Sequence, residues 1–156
     1  MSKKQEILYI ETSNIDGNDY ERKNEKNYPA EDTESEVSIA VLAYNRVEKT
    51  RECVESILEY TKANYKLYLV DNGSDDDTTA YFESVNFPDK HIIKITKNIG
   101  ALYATNVLLK NIKTKYLVLF MNDCMATSNW LENLKRCMES DNTIVLVCPI
   151  SNNISN

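Results

Sequence analysis

KYLVLFMNDCMATSNW, residues 115–130, is the stretch on which the reading of this chain turns. Tyr116 to Phe120 is an unbroken apolar run of strand-forming residues, the pattern of a central strand buried on both faces of a parallel sheet. The run stops at Asn122 and Asp123, which therefore stand just past its carboxyl end. In open α/β sheets, ligands bind in the crevice outside those strand ends. A carboxylate there, followed by a short loop and a helix, is a candidate for holding a metal ion or handling phosphate. The plainer alternative is that Asp123 only caps the strand or a turn.

Downstream, Ser128 can cap a helix whose apolar residues Trp130, Leu131, Leu134, Cys137 and Met138 share one face. Thr143 to Cys148 then reads as a strand ended by Pro149, and SNNISN trails off. Upstream, Val37 to Tyr44 (VSIAVLAY) is the first convincing strand. Asn45 is a plausible cap for a helix with Val47, Val54, Ile57 and Leu58 on its apolar face. Lys66 to Val70 is the next strand and runs into DNGSDDDT, residues 71–78. Gly73 can take a positive φ there, and Asp75 to Asp77 suit a helix start, where the dipole favours negative charge. His91 to Thr96 is a third strand, expected at an edge, and its lone histidine is expected to be structural. Asn98-Ile99-Gly100 breaks into a helix bearing Leu102, Val107, Leu108 and Leu109. Strands and helices alternate throughout, which predicts an α/β fold: a doubly wound, mostly parallel sheet in three layers, α/β/α.

Composition bounds the rest. The length of 156 residues, 42% hydrophobic and 27% charged, suits one soluble domain with a real core. No apolar stretch approaches the roughly 20 residues that span a bilayer, and MSKKQEILYIET is no secretory signal. Cys53, Cys124, Cys137 and Cys148 form no CxxC pair and read as buried free thiols in a reducing, cytoplasmic compartment. With His91 the single histidine, a zinc site is not expected. Residues 1–36 hold 10 acidic and 5 basic residues against 14 and 13 in the remainder, so the net charge of −6 belongs mainly to the leading segment. That segment, 1–36, reads as a flexible acidic leader that cannot bury enough surface to order itself. EILYIE, residues 6–11, is its one piece that could add a short strand or dock on a partner. No basic patch argues for nucleic acid.

Right-handed crossovers collect the strand-to-helix loops on one rim. That rim gathers Tyr44, Asp71, Asn72, Asn98, Gly100, Asn122 and Asp123. An aromatic ring can stack on a nucleobase. A carboxylate beside a carboxamide can hydrogen-bond a pyrimidine edge. A glycine admits close approach of a ligand, and a nearby helix start favours an anion. Asp123 can hold Mg²⁺ or Mn²⁺, a cation that keeps waters and bridges substrate phosphates with one or two protein carboxylates. A phosphoacceptor signalling domain would need an acidic cluster after its first strand, where this chain has Tyr44-Asn45-Arg46.

The ordered set VSIAVLAYNR, LVDNGSDDDT, KNIGALYATN, YLVLFMNDCMATSNWLENL and VCPISNN resembles the nucleotide-sugar-binding, donor half of a family 2 glycosyltransferase with the GT-A fold, over residues 37–156. The resemblance implies that Leu42 and Tyr44 belong to the turn that contacts the nucleobase, and that Asp71 and Asn72 recognise the pyrimidine. It matches Asn98, Gly100 and Ala104 to the Asn-x-Gly segment and makes Asn106 a support of the site. It places the metal motif at Asn122 and Asp123, with Trp130-Leu131 following. The implied activity is transfer of a sugar, with inversion, from a UDP- or dTDP-sugar to a hydroxyl of a glycan or other acceptor. Asp-Asn-Gly at 71–73 leans toward rhamnosyl-type relatives.

The chain departs from that pattern in three ways. MNDC carries one carboxylate where many relatives have two or three. VLAY lacks the proline usual in the first strand's end. The chain is also shorter than such domains, and no catalytic base is identified, so 37–156 reads as truncated. A non-catalytic nucleotide-sugar-binding module, or an inactive fragment, is the competing expectation. An apolar face left for the second half makes self-association a further one.

Overall fold

The computed structural model describes residues 7–11 and 35–149. Most of the acidic leader and the SNNISN tail lie outside the described residues. Five strands form one parallel sheet: β1 Ile7–Ile10, β2 Val37–Ala43, β3 Tyr65–Asn72, β4 Lys90–Ile95 and β5 Tyr116–Met121, in the order β1-β4-β3-β2-β5. Four helices connect and flank them: α1 Val47–Tyr60, α2 Thr78–Ser84, α3 Ala101–Leu109 and α4 Trp130–Met138. The doubly wound α/β expectation holds.

The strand patterns explain which strands sit inside. Every residue of β2 and β3 is buried, as the apolar stretches 39–43 and 67–70, covered on both faces, should be, and Ser38, Lys66, Asp71 and Asn72 are buried with them. On one face Ile39, Val41, Leu67 and Leu69 pack against Cys53, Val54 and Ile57 of α1, Phe82 of α2 and Leu131 of α4. On the other, Ala40, Leu42, Val70 and Ile93 meet Ala104 and Leu108 of α3. The chain winds outward from β2 through β3 to β4 with α1 and α2 on one face. It then returns through α3 on the opposite face to place β5 on the far side of β2. The winding reverses between β2 and β5, so the crevice favoured for ligands opens there.

Several expectations change. Among the described residues the Tyr116–Phe120 run is not central: β5 has β2 as its one strand neighbour there, and Leu119 and Met121 are each 41% exposed. An apolar run records tolerance of burial, not how many neighbours a strand has. β4 is conversely not an edge, because β1 pairs with it from Ile7↔Ile92 to Ile10↔Ile95. Of the optional EILYIE strand, Ile7–Ile10 thus forms, Glu6 lying outside the described residues. Thr143 to Cys148 makes no strand, and Val145 and Leu146 are exposed. The segment has strand-like residues but no ladder partner among the described residues. Of the cysteines, Cys53 alone is buried; Cys124, Cys137 and Cys148 are exposed. Ser128 does not cap α4, whose N-cap is Asn129 in the left-handed region with no side-chain cap bond. His91 stacks on Tyr68 with ring centroids 4.7 Å apart, a structural role as expected.

Candidate functional site

The carboxyl ends of β2, β3, β4 and β5 share one edge of the sheet, and side chains of the loops that follow them bond the four into a continuous rim. The β2–α1 turn is the hub. Asn45 and Arg46 both take left-handed backbone, φ 55 and 60, a conformation costing about 1–3 kcal/mol for each residue unless its surroundings impose it. The surroundings do. Asn45 N–H donates to Ser74 Oγ at 2.8 Å, and Asn45 Oδ1 accepts from Asp75 N–H at 2.9 Å. Val47 N–H, the first helical amide of α1, donates to Asp76 Oδ2 at 2.9 Å. The other oxygen of Asp76 accepts from the Thr78 N–H at 3.0 Å and from the Thr78 hydroxyl at 2.5 Å. One carboxylate therefore serves the starts of α1 and α2, where neither N-cap residue supplies a bond of its own. Burial works to raise the Asp76 carboxyl. The Thr78 hydroxyl and the Val47 and Thr78 amides outweigh it and hold the carboxyl below its ordinary value.

A second joint links β3 to the β4 loop. Asn72 Nδ2 donates to Asn98 Oδ1 at 3.1 Å, Ile99 N–H donates to Asn72 Oδ1 at 3.2 Å, and Asn98 Oδ1 also takes the Gly100 N–H at 2.8 Å. Gly73, at φ 80, lies so close to Lys97 and Asn98 that a Cβ there would overlap their backbone atoms. Asp71 is fully buried; its Oδ1 accepts from Ser74 N–H at 2.8 Å and its Oδ2 from the Thr79 hydroxyl. The third joint links β5 to the hub. Asn122 N–H extends the ladder to Leu42 O at 3.2 Å, while its side chain donates to Asn45 O at 3.0 Å and to Thr50 Oγ1 at 2.9 Å.

The sequence-selected residues therefore divide. Asp71, Asn72, Asn98 and Asn122 all reach the rim, and their side chains are engaged in building it. Leu42 is 4% exposed and packs in the core on the α3 face, so its side chain is turned from the crevice. Asn106 stands exposed on α3 and takes no part in the three joints. Tyr44, 46% exposed, and Asp123, also exposed, are left facing outward. They are brought together: Tyr44 precedes Asn45, Asp123 follows Asn122, and the latter two are bonded. Gly100, φ 80, has nothing within 4 Å of where a Cβ would lie, so the start of α3 is open. Asn45, Thr50, Ser74, Asp76 and Thr79 were not singled out as site residues. The signal for Asn45 was its tolerance of left-handed backbone, and for Asp76 its place in an acidic run before a helix.

The donor set suits a hard divalent cation. Asp123 offers an exposed carboxylate whose Oδ1 takes a long contact from Cys124 Sγ at 4.0 Å, and among the described residues no group of three His, Cys, Asp or Glu converges on a metal position. A cation there would have one protein carboxylate and would complete its shell with water and substrate oxygens, as Mg²⁺ commonly does. Among the described residues no helix is long and apolar enough to cross a membrane.

Comparison with known proteins agrees with this architecture. The sequence profile of Glycosyl transferase family 2 matches residues 38–156. An uncharacterized glycosyltransferase of Rickettsia felis is 31% identical over 112 residues, 71% of this chain and 18% of that protein. One of Haemophilus influenzae is 29% identical over 110 residues, 69% of this chain and 34% of that protein. The chain thus spans about a third or less of the length of these relatives. Among solved structures, the mannosyltransferase PcManGT from Pyrobaculum calidifontis, in complex with GDP-Man and Mn²⁺, superposes with a TM-score of 0.63 at 20% identity, covering 70% of this chain and 33% of that one.

Proposed function

Because this chain belongs to glycosyl transferase family 2, we propose that its rim is the donor site of a sugar transfer from a UDP- or dTDP-sugar to a hydroxyl of a glycan or other acceptor, with inversion. One observation carries the reading. At the reversal of the winding, the bonded pair Asn45 and Asn122 is flanked by an exposed aromatic ring and an exposed carboxylate. Tyr44 stacks on the base, whose π-face any aromatic ring can meet. Asp71 and Asn72 shape the pyrimidine side of the crevice and hold the loops around it. The diphosphate lies toward Asp123 and the open start of α3 at Gly100, where the positive end of the helix dipole favours an anion. Asp123 would hold Mg²⁺ or Mn²⁺, which when bound neutralises charge on the departing diphosphate. Support for a divalent ion comes from the structural neighbour named above, which holds Mn²⁺. Asp71 has both oxygens engaged within the fold and Asp123 is given to the cation, so neither is assigned as the base for the acceptor's proton.

The test is ligand-dependent stabilisation. A nucleotide at about 100 times its Kd adds about 2.7 kcal/mol, which in a chain of this size raises Tm by about 5–10 °C. UDP or dTDP with Mn²⁺ is expected to do so, and Asp123→Ala to remove the metal-dependent part. Melting curves unmoved by millimolar UDP and dTDP, with and without Mn²⁺, would overturn the assignment. A second reading, a module that binds the nucleotide sugar without turning it over, is favoured by the single carboxylate of the metal position. Stabilisation by UDP with no release of UDP from any donor sugar would select it.

A further inference from the structure

Asn122 occupies the place in its motif where a second metal-binding carboxylate would be sought, yet its side chain is turned to other work. Its amide nitrogen lies 3.0 Å from Asn45 O and 2.9 Å from Thr50 Oγ1. The Thr50 hydroxyl lies 3.2 Å from Arg46 O, to which it donates, and Thr50 is fully buried. These partners fix the chemistry of position 122. Asn45 O is a carbonyl and can only accept. Thr50 Oγ1 spends its hydrogen on Arg46 O and has lone pairs left to accept with. Both positions therefore demand a donor with two hydrogens, which a carboxamide supplies and a carboxylate does not. An aspartate here would set its oxygens against a carbonyl oxygen at hydrogen-bonding distance and leave that carbonyl unsatisfied.

We propose that Asn122 is a positioning residue that couples metal binding to nucleotide binding, by locking the turn that carries Tyr44 to the loop that carries Asp123. It is not a degenerate metal ligand. The inference rests on the donor-site reading above and deepens it. The two groups that would meet base and cation sit one residue to either side of the Asn45–Asn122 bond, just past the ends of the paired strands β2 and β5. With the bond in place, a cation that fixes Asp123 also fixes the turn beneath Tyr44, and a base stacked on Tyr44 steadies Asp123. By linkage the effect is reciprocal. Without the side-chain bond the strands stay joined through the Asn122 N–H and Leu42 O, but the turn and the loop beyond them lose their tie and the coupling between the two ligands falls away.

The experiment measures UDP and dTDP affinity by calorimetry with and without Mn²⁺ in the full chain. Wild type is expected to bind more tightly with Mn²⁺, by about 5–150-fold, the usual span of coupled sites. Asn122→Ala is expected to bring that enhancement close to one while lowering the metal-free affinity less. Thr50→Val, which keeps the volume and removes the hydroxyl, guards against loss of folding in the first variant and is expected to lower the enhancement partway. Asn122→Asp is the deciding substitution: positioning requires it to behave like the alanine variant, whereas a ligand role requires Mn²⁺ enhancement at or above wild type. In the ligand-free protein, hydrogen exchange at the Asn45 and Val47 amides is expected to quicken in Asn122→Ala. Full enhancement in Asn122→Ala, or a gain in Asn122→Asp, would overturn the inference and leave the donor site standing. Wild-type binding indifferent to Mn²⁺ would also overturn it. A wild type that binds neither nucleotide would overturn the donor-site reading itself.

Discussion

At the scale of single residues, the rim is held by groups whose conformation or charge cannot be replaced cheaply. Gly73 and Gly100 share φ 80 but differ in surroundings. An alanine at 100 meets open space and suffers the backbone strain alone, about 1–3 kcal/mol. At 73 its Cβ also runs into the backbone of Lys97 and Asn98, and overpacking adds about 1–3 kcal/mol. Urea unfolding is expected to rank Gly73→Ala clearly below Gly100→Ala; equal losses would show that the β3 and β4 loops do not press together. Asp76 gives a pH-dependent counterpart. Asp76→Ala removes the bond to the first amide of α1 and those to Thr78, at a cost of about 1–2 kcal/mol at neutral pH. The folded carboxyl titrates below its unfolded value of about 3.9. Its contribution is therefore complete above that value and is lost as pH falls through the folded one. Unfolding curves of wild type and Asp76→Ala should separate at pH 7 and converge below about pH 4; a gap that persists in acid would place the effect elsewhere.

At the scale of elements, the sequence showed which segments are strands and helices but not always which neighbours they have. β2 was legible because its nearly continuous apolar run demands cover on two faces, and β3 because Lys66 to Val70 alternates and then turns apolar; both are buried throughout. The apolar run of β5 has the same local pattern, yet among the described strands it lies outermost, since a pattern of residues carries no record of pairing order. Residues 143–148 fail for the same reason: strand-forming side chains need a ladder partner, and none is present among the described residues. The rim was half legible. Polar residues at strand ends marked the loops that the rim bonds together, but a carboxylate left exposed and one that ties two loops look alike until partners are seen. α4 tests the element level directly. Trp130 meets Phe120 of β5 edge-to-face at 5.0 Å and donates from Nε1 to Thr61 Oγ1 at 3.0 Å. Leu131 beside it is buried. Trp130→Phe keeps most of the packing and loses the hydrogen bond, with an expected cost of about 1–2 kcal/mol including the shape change. Leu131→Ala is expected to cost about 2–5 kcal/mol. Denaturant titrations resolve the two; a Leu131→Ala loss under 1 kcal/mol would mean that α4 is not fastened to the sheet through this face.

For the molecule as a whole, the four cysteines separate what opens locally from what opens only when the fold is lost. Cys53 sits on α1 in the core, and its thiol lies 3.7 Å from the Met121 carbonyl oxygen, to which it donates. Burial first, with smaller contributions from Cys124 and Asp123, pushes that thiol up to about 12, where almost no thiolate exists to react at neutral pH. Cys124, Cys137 and Cys148 are exposed. A colorimetric thiol reagent on the native protein should thus consume three equivalents quickly and the fourth at a rate set by opening of the α1–sheet core. Urea should bring the fourth into the fast phase over the same range in which the lone tryptophan reports unfolding. Because Cys124 follows Asp123 directly, UDP with Mn²⁺ should slow one of the three fast equivalents and leave Cys137 and Cys148, on and beyond α4, unchanged. Four fast equivalents in the absence of denaturant would mean that α1 does not seal the sheet. Three fast equivalents indifferent to saturating nucleotide and metal would place the bound ligand away from the loop after β5.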